Sequence, residues 1–553
     1  MLGAALLWAS LPPLDWWPLA WVAPIPWVLL IRRKELAGRR PYGMLTLTGF
    51  LFWMAVLHWL RLPHPATSIG WVALSFYFAF YLPVFVGLSR VAVHRLRVPV
   101  ILAAPLVWTG LELARGHLLT GMTMASLGHT QYRWIELIQL SDLAGAYGVS
   151  FVVMCVAAAL ARMLPCDGWG RHSCLSNGRQ ECLPHPTSQC LPHPATRMPH
   201  PAWAIWPLAP ALVVLAAALG YGYARTAGDY TSPGPNVALI QGSIDVEMRY
   251  DPDMRDRIFR EYLQLSQEAV RKYERVDLVV WPETMFLESL ITFDAGAAKP
   301  PQFEGTEEEF RKWLPWARQH SLNVMAQTAQ SLDVPLILGV DANHLGADGV
   351  QCFNSAVHVA RDGKLLGRYD KMHLVMFGEY VPLAEYSPWL YRLTPLPGGA
   401  TPGKRPATFD LDGVRLAPNI CYESVLPHVI RRQVNMLTAE GRQPDILVNL
   451  TNDGWFWGSS ELDLHLVCGV FRAVECRKPF LIAANTGFSA WIDGDGRIRQ
   501  QGPRRAADTI LAEVRLDRRT SWYLEHGDWA AGICLVGCLL FGLVGLYERF
   551  TPL

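Results

Sequence analysis

The chain has little charge for its size. Asp, Glu, Lys and Arg make up 18% of 553 residues, and neither sign dominates, with 49 basic side chains against 48 acidic ones. At a net charge of +1 there is no electrostatic footprint for nucleic acid, so none is expected as a partner. A basic leader before the first apolar stretch is also missing, and residues 1–31 therefore do not read as a cleaved signal peptide. The 11 cysteines lack the spacing of a zinc knuckle. The excess lies on the apolar side, with 51% hydrophobic residues and 22 Trp, a composition that favours a membrane-embedded chain over a soluble enzyme.

These apolar residues are concentrated at the two ends. Candidate spans cover about 2–14, 16–31, 44–61, 70–88, 98–116, 140–162 and 203–223, and a last one begins at Trp529. The chain thus divides into a transmembrane module at 1–223, a domain of soluble composition at 224–528, and a C-terminal helix with a short tail at 529–553. The first two spans are short and separated by Pro12-Pro13-Leu14-Asp15, so a tight hairpin is an alternative to two crossings. Arg32, Arg33, Lys34, Arg39 and Arg40 follow the second span, Arg90, Arg95 and Arg97 the fourth, and Arg162 and Arg171 the sixth. Those loops are expected in the cytoplasm, which with about eight spans puts 224–528 outside; Arg549 agrees. Glu112 and Arg115, three apart near the end of the fifth span, share a helix face and suggest an ion pair or a lipid-headgroup contact.

An insertion at about 165–201 repeats Cys182-Leu183-Pro184-His185-Pro186 as Cys190-Leu191-Pro192-His193-Pro194. Its cysteines, eight apart, read as a duplicated low-complexity segment and not as a metal site. The central domain alternates short apolar strands (236–242, 276–281, 335–340, 355–360, 445–450) with helices at about 253–274, 313–331, 425–439 and 461–477. That alternation implies a layered α/β or α+β domain. Cys468 and Cys476, eight apart on one expected helix, are too distant for a disulfide.

Three polar groups sit where strands end. Glu283 follows Trp281-Pro282, Lys371 follows Tyr369-Asp370, and Cys421 follows the run 414–420. Singly each has an ordinary reading, as an inert buried cysteine or a surface ion pair. Together they allow acyl transfer through a thioester, with a carboxylate taking the thiol proton and an ammonium stabilising the oxyanion.

The stretches Trp281-Pro282-Glu283-Thr284, 371–382 (Lys-Met-His-Leu-Val-Met-Phe-Gly-Glu-Tyr-Val-Pro), Ile420-Cys421-Tyr422-Glu423 and Asn452-Asp453-Gly454-Trp455-Phe456 carry a resemblance. With spans on either side of them, the chain resembles the apolipoprotein N-acyltransferase family, the membrane-bound branch of the nitrilase (carbon-nitrogen hydrolase) superfamily, over nearly its whole length except the insertion. The resemblance implies an αββα sandwich beside a polytopic helical membrane domain. It also implies a base (Glu283), an oxyanion stabiliser (Lys371), a nucleophile (Cys421), an assistant holding Lys371 or the substrate amine (Glu379), and pocket-shaping Tyr422 and Glu423. Tyr250, Trp455 and Phe377 are candidate substrate contacts; Tyr250 stands where the family usually has Trp, and Gly454-Trp455-Phe456-Trp457 replaces the usual Ala-Trp-Phe-Gly.

The donor implied is a glycerophospholipid and the acceptor the α-amino group of a diacylglyceryl-cysteine on an apolipoprotein. No cofactor or metal is implied, and the expected state is a monomer in the bacterial cytoplasmic membrane with its catalytic domain in the periplasm. Two other readings stay open. The same triad serves a membrane-tethered amidase in which water resolves the thioester, and the spans could belong to a transporter with an attached binding domain. A transporter predicts charges deep in several spans, whereas only the fifth holds an obvious pair.

Overall fold

The computed structural model describes residues 1–164, 206–249, 251–384, 386–393 and 399–550. The repeated Cys-His insertion at about 165–201 and Tyr250 lie outside the described residues.

The N-terminal part is helical: α1 (Leu2–Ala9), α2 (Ile25–Arg32), α3 (Pro41–Val56), α4 (Thr67–Ala79), α5 (Tyr81–His94), α6 (Val100–His117), the short α7 (Ile135–Ile138), α8 (Ser141–Met163) and α9 (Ala209–Thr226). Among the described residues, four helices are long and apolar enough by length and composition to cross a membrane: Thr67–His94, Ser141–Met163, Trp206–Thr226 and Trp529–Tyr547. The first expected span holds the eight-residue α1, the second a 3-10 turn (Trp17–Trp21) running into α2, and the paired prolines lie in the turn between them.

Glu112 and Arg115 make neither an ion pair within 4.0 Å nor an excursion to the interface. Glu112 accepts from Trp108 Nε1 (2.9 Å) and the Leu127 amide (2.8 Å). Arg115 donates to Ser126 Oγ (2.8 Å) and lies over the Trp53 ring (4.9 Å). Both are buried among helices, where internal partners replace water.

The central domain runs β1 (Thr231–Gln241), α10 (Val246–Arg249), α11 (Arg255–Lys272), β2 (Leu278–Val280), β3 (Phe286–Phe293), α12 (Glu307–Leu332), β4 (Leu336–Gly346), β5 (Gly349–Val359), β6 (Leu365–Asp370), β7 (Phe409–Leu411), β8 (Val414–Ile420), α13 (Pro427–Ala439), β9 (Ile446–Thr451), α14 (Glu461–Cys476), β10 (Phe480–Ala484), β11 (Ala490–Ile492), β12 (Ile498–Gln501), β13 (Asp508–Asp517) and α15 (Trp522–His526). The chain then enters α16 (Trp529–Phe550). One sheet orders β13-β1-β2-β4-β5-β6, with β3 also on β4; the other orders β12-β11-β10-β9-β8-β7. The inner strands β1, β2 and β4 are parallel to one another, as are β8, β9 and β10.

Alternation along each strand builds the layers. Val237, Leu239 and Val280 of the first sheet meet Ile420, Val448 and Leu481 of the second between the sheets. Ala238, Ile240 and Val279 face outward onto Ile258 and Tyr262 of α11 and Met325 and Ala329 of α12. Ala417, Leu447 and Ile482 face Ile430 and Val434 of α13 and Val467 and Phe471 of α14. Strands buried on both faces read as unbroken apolar runs, which explains why the sequence exposes them so clearly. The result is an αββα sandwich.

The α13–α14 layer is also the floor on which the membrane helices dock, since Ala146 and Val149 of α8 join the same cluster. A buried ion pair fixes that contact: Arg477 donates to Asp142 through Nε (2.7 Å) and Nη2 (2.5 Å), and Arg225 adds a third bond (2.9 Å). The loop after α6 lies under the domain, where the Tyr422 hydroxyl donates to the Gly121 carbonyl (2.8 Å).

Candidate active site

The C-terminal ends of parallel strands are where open α/β layers present chemistry. Glu283 comes three residues after β2, in a turn whose next residue, Thr284, has φ 52°. The turn sits tightly on β4: a Cβ at Gly339 would come 2.1 Å from the Pro282 carbonyl oxygen and 2.7 Å from the Glu283 Cα, so only glycine fits there. Lys371 follows β6, its amide donating to the Asn354 carbonyl (2.9 Å). Cys421 follows β8 and is held at φ 51°, in the left-handed region that non-glycine residues seldom occupy. Such a turn lifts the side chain off the strand end.

The structure brings these groups together. Lys371 Nζ donates to Glu379 Oε1 (2.7 Å) and Glu283 Oε1 (3.5 Å). Lys371 is 1% exposed and Glu283 7%. The second Glu283 oxygen accepts from the Asn452 amide (2.9 Å). Asn354 Nδ2 bridges both carboxylates, to Glu283 (2.7 Å) and Glu379 (3.2 Å), and the Val375 amide donates to Glu379 Oε2 (2.8 Å).

The electrostatics follow from burial. Desolvation raises the Glu283 carboxyl above 4.5 against the pull of Lys371. Burial works against the Lys371 charge, yet Glu379 and Glu283 outweigh it and raise the ammonium above its usual range. Burial and then Glu283 push the Cys421 thiol well up, with Lys371 opposing. Cys421 is therefore a thiol that would need a base to ionise, beside a carboxylate of raised basicity and an ammonium.

Of the two contacts expected for Glu379, the one to Lys371 is present at 2.7 Å. Glu423 is fully buried: its carboxylate accepts from the Tyr369 hydroxyl (2.8 Å) and the amides of Met372 (2.8 Å), His373 (3.0 Å) and Ile420 (2.7 Å). It ties the Lys371 loop to the end of β8. Tyr422 faces the membrane module through Gly121. Phe377, at φ 62° and 54% exposed, projects from the loop that carries Glu379. Trp455 projects from the short helical turn Asp453–Phe456, just past Asn452.

Asn354, Asn449 and His465 escaped the sequence reading. Asn449 is a polar residue inside an otherwise apolar run, a placement that strand propensity disfavours, whereas Asn354 lies in a strand that also holds Gln351, Ser355 and His358. His465 on α14 carried no such signal. Asp453, Glu461 and His465 also form a buried cluster whose potential ligand atoms lie within 4.8 Å of one another.

Residues 3–159 match the family described as apolipoprotein N-acyltransferase N-terminal domain, and residues 236–523 match the carbon-nitrogen hydrolase family. The apolipoprotein N-acyltransferase of Rhodopirellula baltica is 32% identical over 563 residues, covering 96% of this chain and 93% of its own. That of Geobacter metallireducens is 32% identical over 558 residues, covering 99% and 95%. Among solved structures, Saccharomyces cerevisiae Nit3, a member of branch 10 of the nitrilase superfamily, aligns with 55% of this chain and 96% of its own at 17% identity and a TM-score of 0.36.

Proposed function

The chain belongs to the apolipoprotein N-acyltransferase family, and from that premise we propose that Cys421, Glu283 and Lys371 carry an acyl chain from a glycerophospholipid to the α-amino group of a diacylglyceryl-cysteine at an apolipoprotein N-terminus. The observation that carries the assignment is the buried Lys371 ammonium held between Glu379 and Glu283, with the Cys421 thiol under the charge of Glu283 and Lys371.

Glu283 takes the thiol proton as sulfur attacks the phospholipid ester carbonyl. A C–S bond forms and the carbonyl π electrons move onto oxygen. An ammonium has three N–H bonds; two are engaged by carboxylates, which leaves one for that oxyanion. Collapse breaks the C–O bond, and the proton held by Glu283 passes to the departing glycerol oxygen, releasing lysophospholipid and leaving a thioester. The acceptor amine then attacks the thioester and gives its proton to Glu283. The C–S bond breaks, the amide leaves, and Glu283 returns the proton to sulfur.

The proposed location is the cytoplasmic membrane with the catalytic domain in the periplasm. In support, basic residues gather at the end of the helical bundle away from the sandwich. Arg32 Nη1 donates to the Leu164 carbonyl (2.8 Å), and Arg90 donates to the carbonyls of Leu30 (3.0 Å) and Lys34 (2.8 Å). Positive charge collected at one end marks the cytoplasmic side. At the other end, the hydroxyl of Tyr422, next to Cys421, donates to the Gly121 carbonyl of the helical bundle, which supports approach of a lipid ester and a lipidated amine from that side.

The test is incubation of the purified protein with phospholipid alone, followed by intact-mass analysis. An acyl adduct is expected on the wild type and lost in Cys421→Ala. Absence of any adduct on active protein would refute the reading.

A further inference from the structure

A residue in the left-handed region springs back unless its flanks are held. The Cys421 carbonyl is held by three side chains: Asn449 Nδ2 (3.1 Å), Ser424 Oγ (3.0 Å) and His465 Nε2 (3.2 Å). Of the three, only the histidine can carry charge. Its other ring nitrogen, Nδ1, lies 3.1 Å from Asp453 Oδ1, which also accepts from Thr451 Oγ1 (2.8 Å). Ser424 Oγ lies 2.8 Å from His465 Nε2, while the two oxygens that can only accept, the Asp453 carboxylate and the Cys421 carbonyl, face Nδ1 and Nε2. Both ring nitrogens thus face acceptors, and a neutral imidazole has one N–H to offer. Only the imidazolium satisfies every contact.

We propose that His465 is a positioning residue: held as an imidazolium by Asp453, it pins the Cys421 carbonyl and keeps the strained nucleophile turn directed at Glu283 and Lys371. The inference rests on Cys421 being the nucleophile. Arg472, one helical face along α14, reinforces the same turn through the carbonyls of Ser424 (3.3 Å) and Val425 (3.2 Å).

The titratable and charged groups around His465 are Asp453 from the turn before α14, Glu461, Asp463 and Arg472 on its own helix, Glu283 and Lys371 from the first sheet, and Cys421 itself. Burial alone would discharge the imidazole, but Asp453 outweighs it and the group titrates above its ordinary 6.5. Burial first, and then Asp453, pushes the Glu461 carboxyl well up. The sign follows: His465 is charged and the turn clamped below the raised value, and the clamp is lost as pH rises through it.

First-turnover acylation of the full chain in phospholipid micelles, followed by intact mass from neutral to alkaline pH, tests this. His465→Gln keeps a donor without a titration, so it should flatten the alkaline decline contributed by His465 and slow acylation by about ten- to a hundredfold with lipid KM unchanged. Asp453→Asn should move the decline to lower pH. An equal loss at every pH in Asp453→Asn, or a decline that survives in His465→Gln, would overturn the proposal. The charge can also be read without any acyl chemistry, from the ring nitrogen shifts of 15N-histidine-labelled wild type. Two protonated nitrogens at neutral pH support the imidazolium, and a neutral ring refutes it even if Cys421 acylates normally. A stoichiometric divalent metal that disappears in Glu461→Gln would refute it too, assigning the cluster to a metal centre.

Discussion

Replacing Glu379 by glutamine tests how the oxyanion cation is held. The two carboxylate oxygens do different work: Oε1 accepts from Lys371 (2.7 Å) and Asn354 (3.2 Å), and Oε2 from the Val375 amide (2.8 Å). Glutamine has one acceptor and one NH2. With its oxygen toward Lys371, the NH2 meets the Val375 N–H; turned around, the NH2 meets an ammonium. Either way one buried donor faces another donor. Lys371 keeps only Glu283, at 3.5 Å, as a charged partner. A charge-assisted bond contributes roughly 1.5–3 kcal/mol. If that loss appears in the acylation barrier, at about 1.4 kcal/mol per tenfold, the first turnover should slow by about ten- to 150-fold. The assay is the rate of acyl-adduct formation on phospholipid at saturation, with thermal unfolding followed in parallel to separate misplacement from instability. Acylation within about twofold of wild type in a folded Glu379→Gln protein would refute the idea that Glu379 positions Lys371, because the predicted loss is several times larger.

Three other perturbations follow. Glu283→Gln removes the base and should slow acylation by about 10²–10⁴-fold; the wild-type rate should fall as pH drops through the raised Glu283 value, since the base works ionised, and this acid limb should vanish in the variant. Glu423→Gln leaves one acceptor oxygen for donors that two oxygens now serve, at about 1–3 kcal/mol per stranded buried donor. A lowered unfolding temperature with parallel loss of acylation is expected. Arg477→Ala leaves Asp142 with Arg225 and the Tyr221 hydroxyl as partners, so the cost should fall below the about 3–5 kcal/mol of a buried pair broken outright. Thermal unfolding in detergent should register it, while the acylation that survives below the transition should be close to wild type because the site is remote from this contact.

Much of this architecture was readable in the linear chain because its signals are local. The inner strands of both sheets show as apolar runs, since they bury both faces, whereas β6, β7 and β12 are partly exposed; all four expected helices of the sandwich formed, with α12 starting at Glu307 and not at about 313. Glu283, Lys371 and Cys421 were visible because each follows a strand. Glu379 was legible only as one of two roles, and the bonds that hold Glu423 were not legible at all. Both are carboxylates in loops, and whether a carboxylate faces a pocket or a set of backbone amides depends on chain brought in from elsewhere. Asn354 lies 71 residues from Glu283, and His465 lies 44 from Cys421. No local pattern encodes contacts of that reach.

The membrane part divides the same way. Hydropathy located the apolar segments, but α1 and α2 are shorter than the stretches that announced them, because apolarity marks burial and not helix length. Glu112 and Arg115 could be recognised as costly, yet their partners turned out to be Trp108, the Leu127 amide and Ser126. The sequence by itself determined the layers, the strand ends and the chemical character of the groups on them, because alternation and composition act within a few residues. Only the tertiary structure decided which of those groups touch, which carboxylate grips the lysine and which staples two loops, and what holds Cys421 in its strained turn. Those outcomes depend on desolvation and hydrogen-bond geometry, and neither exists until distant segments are packed together.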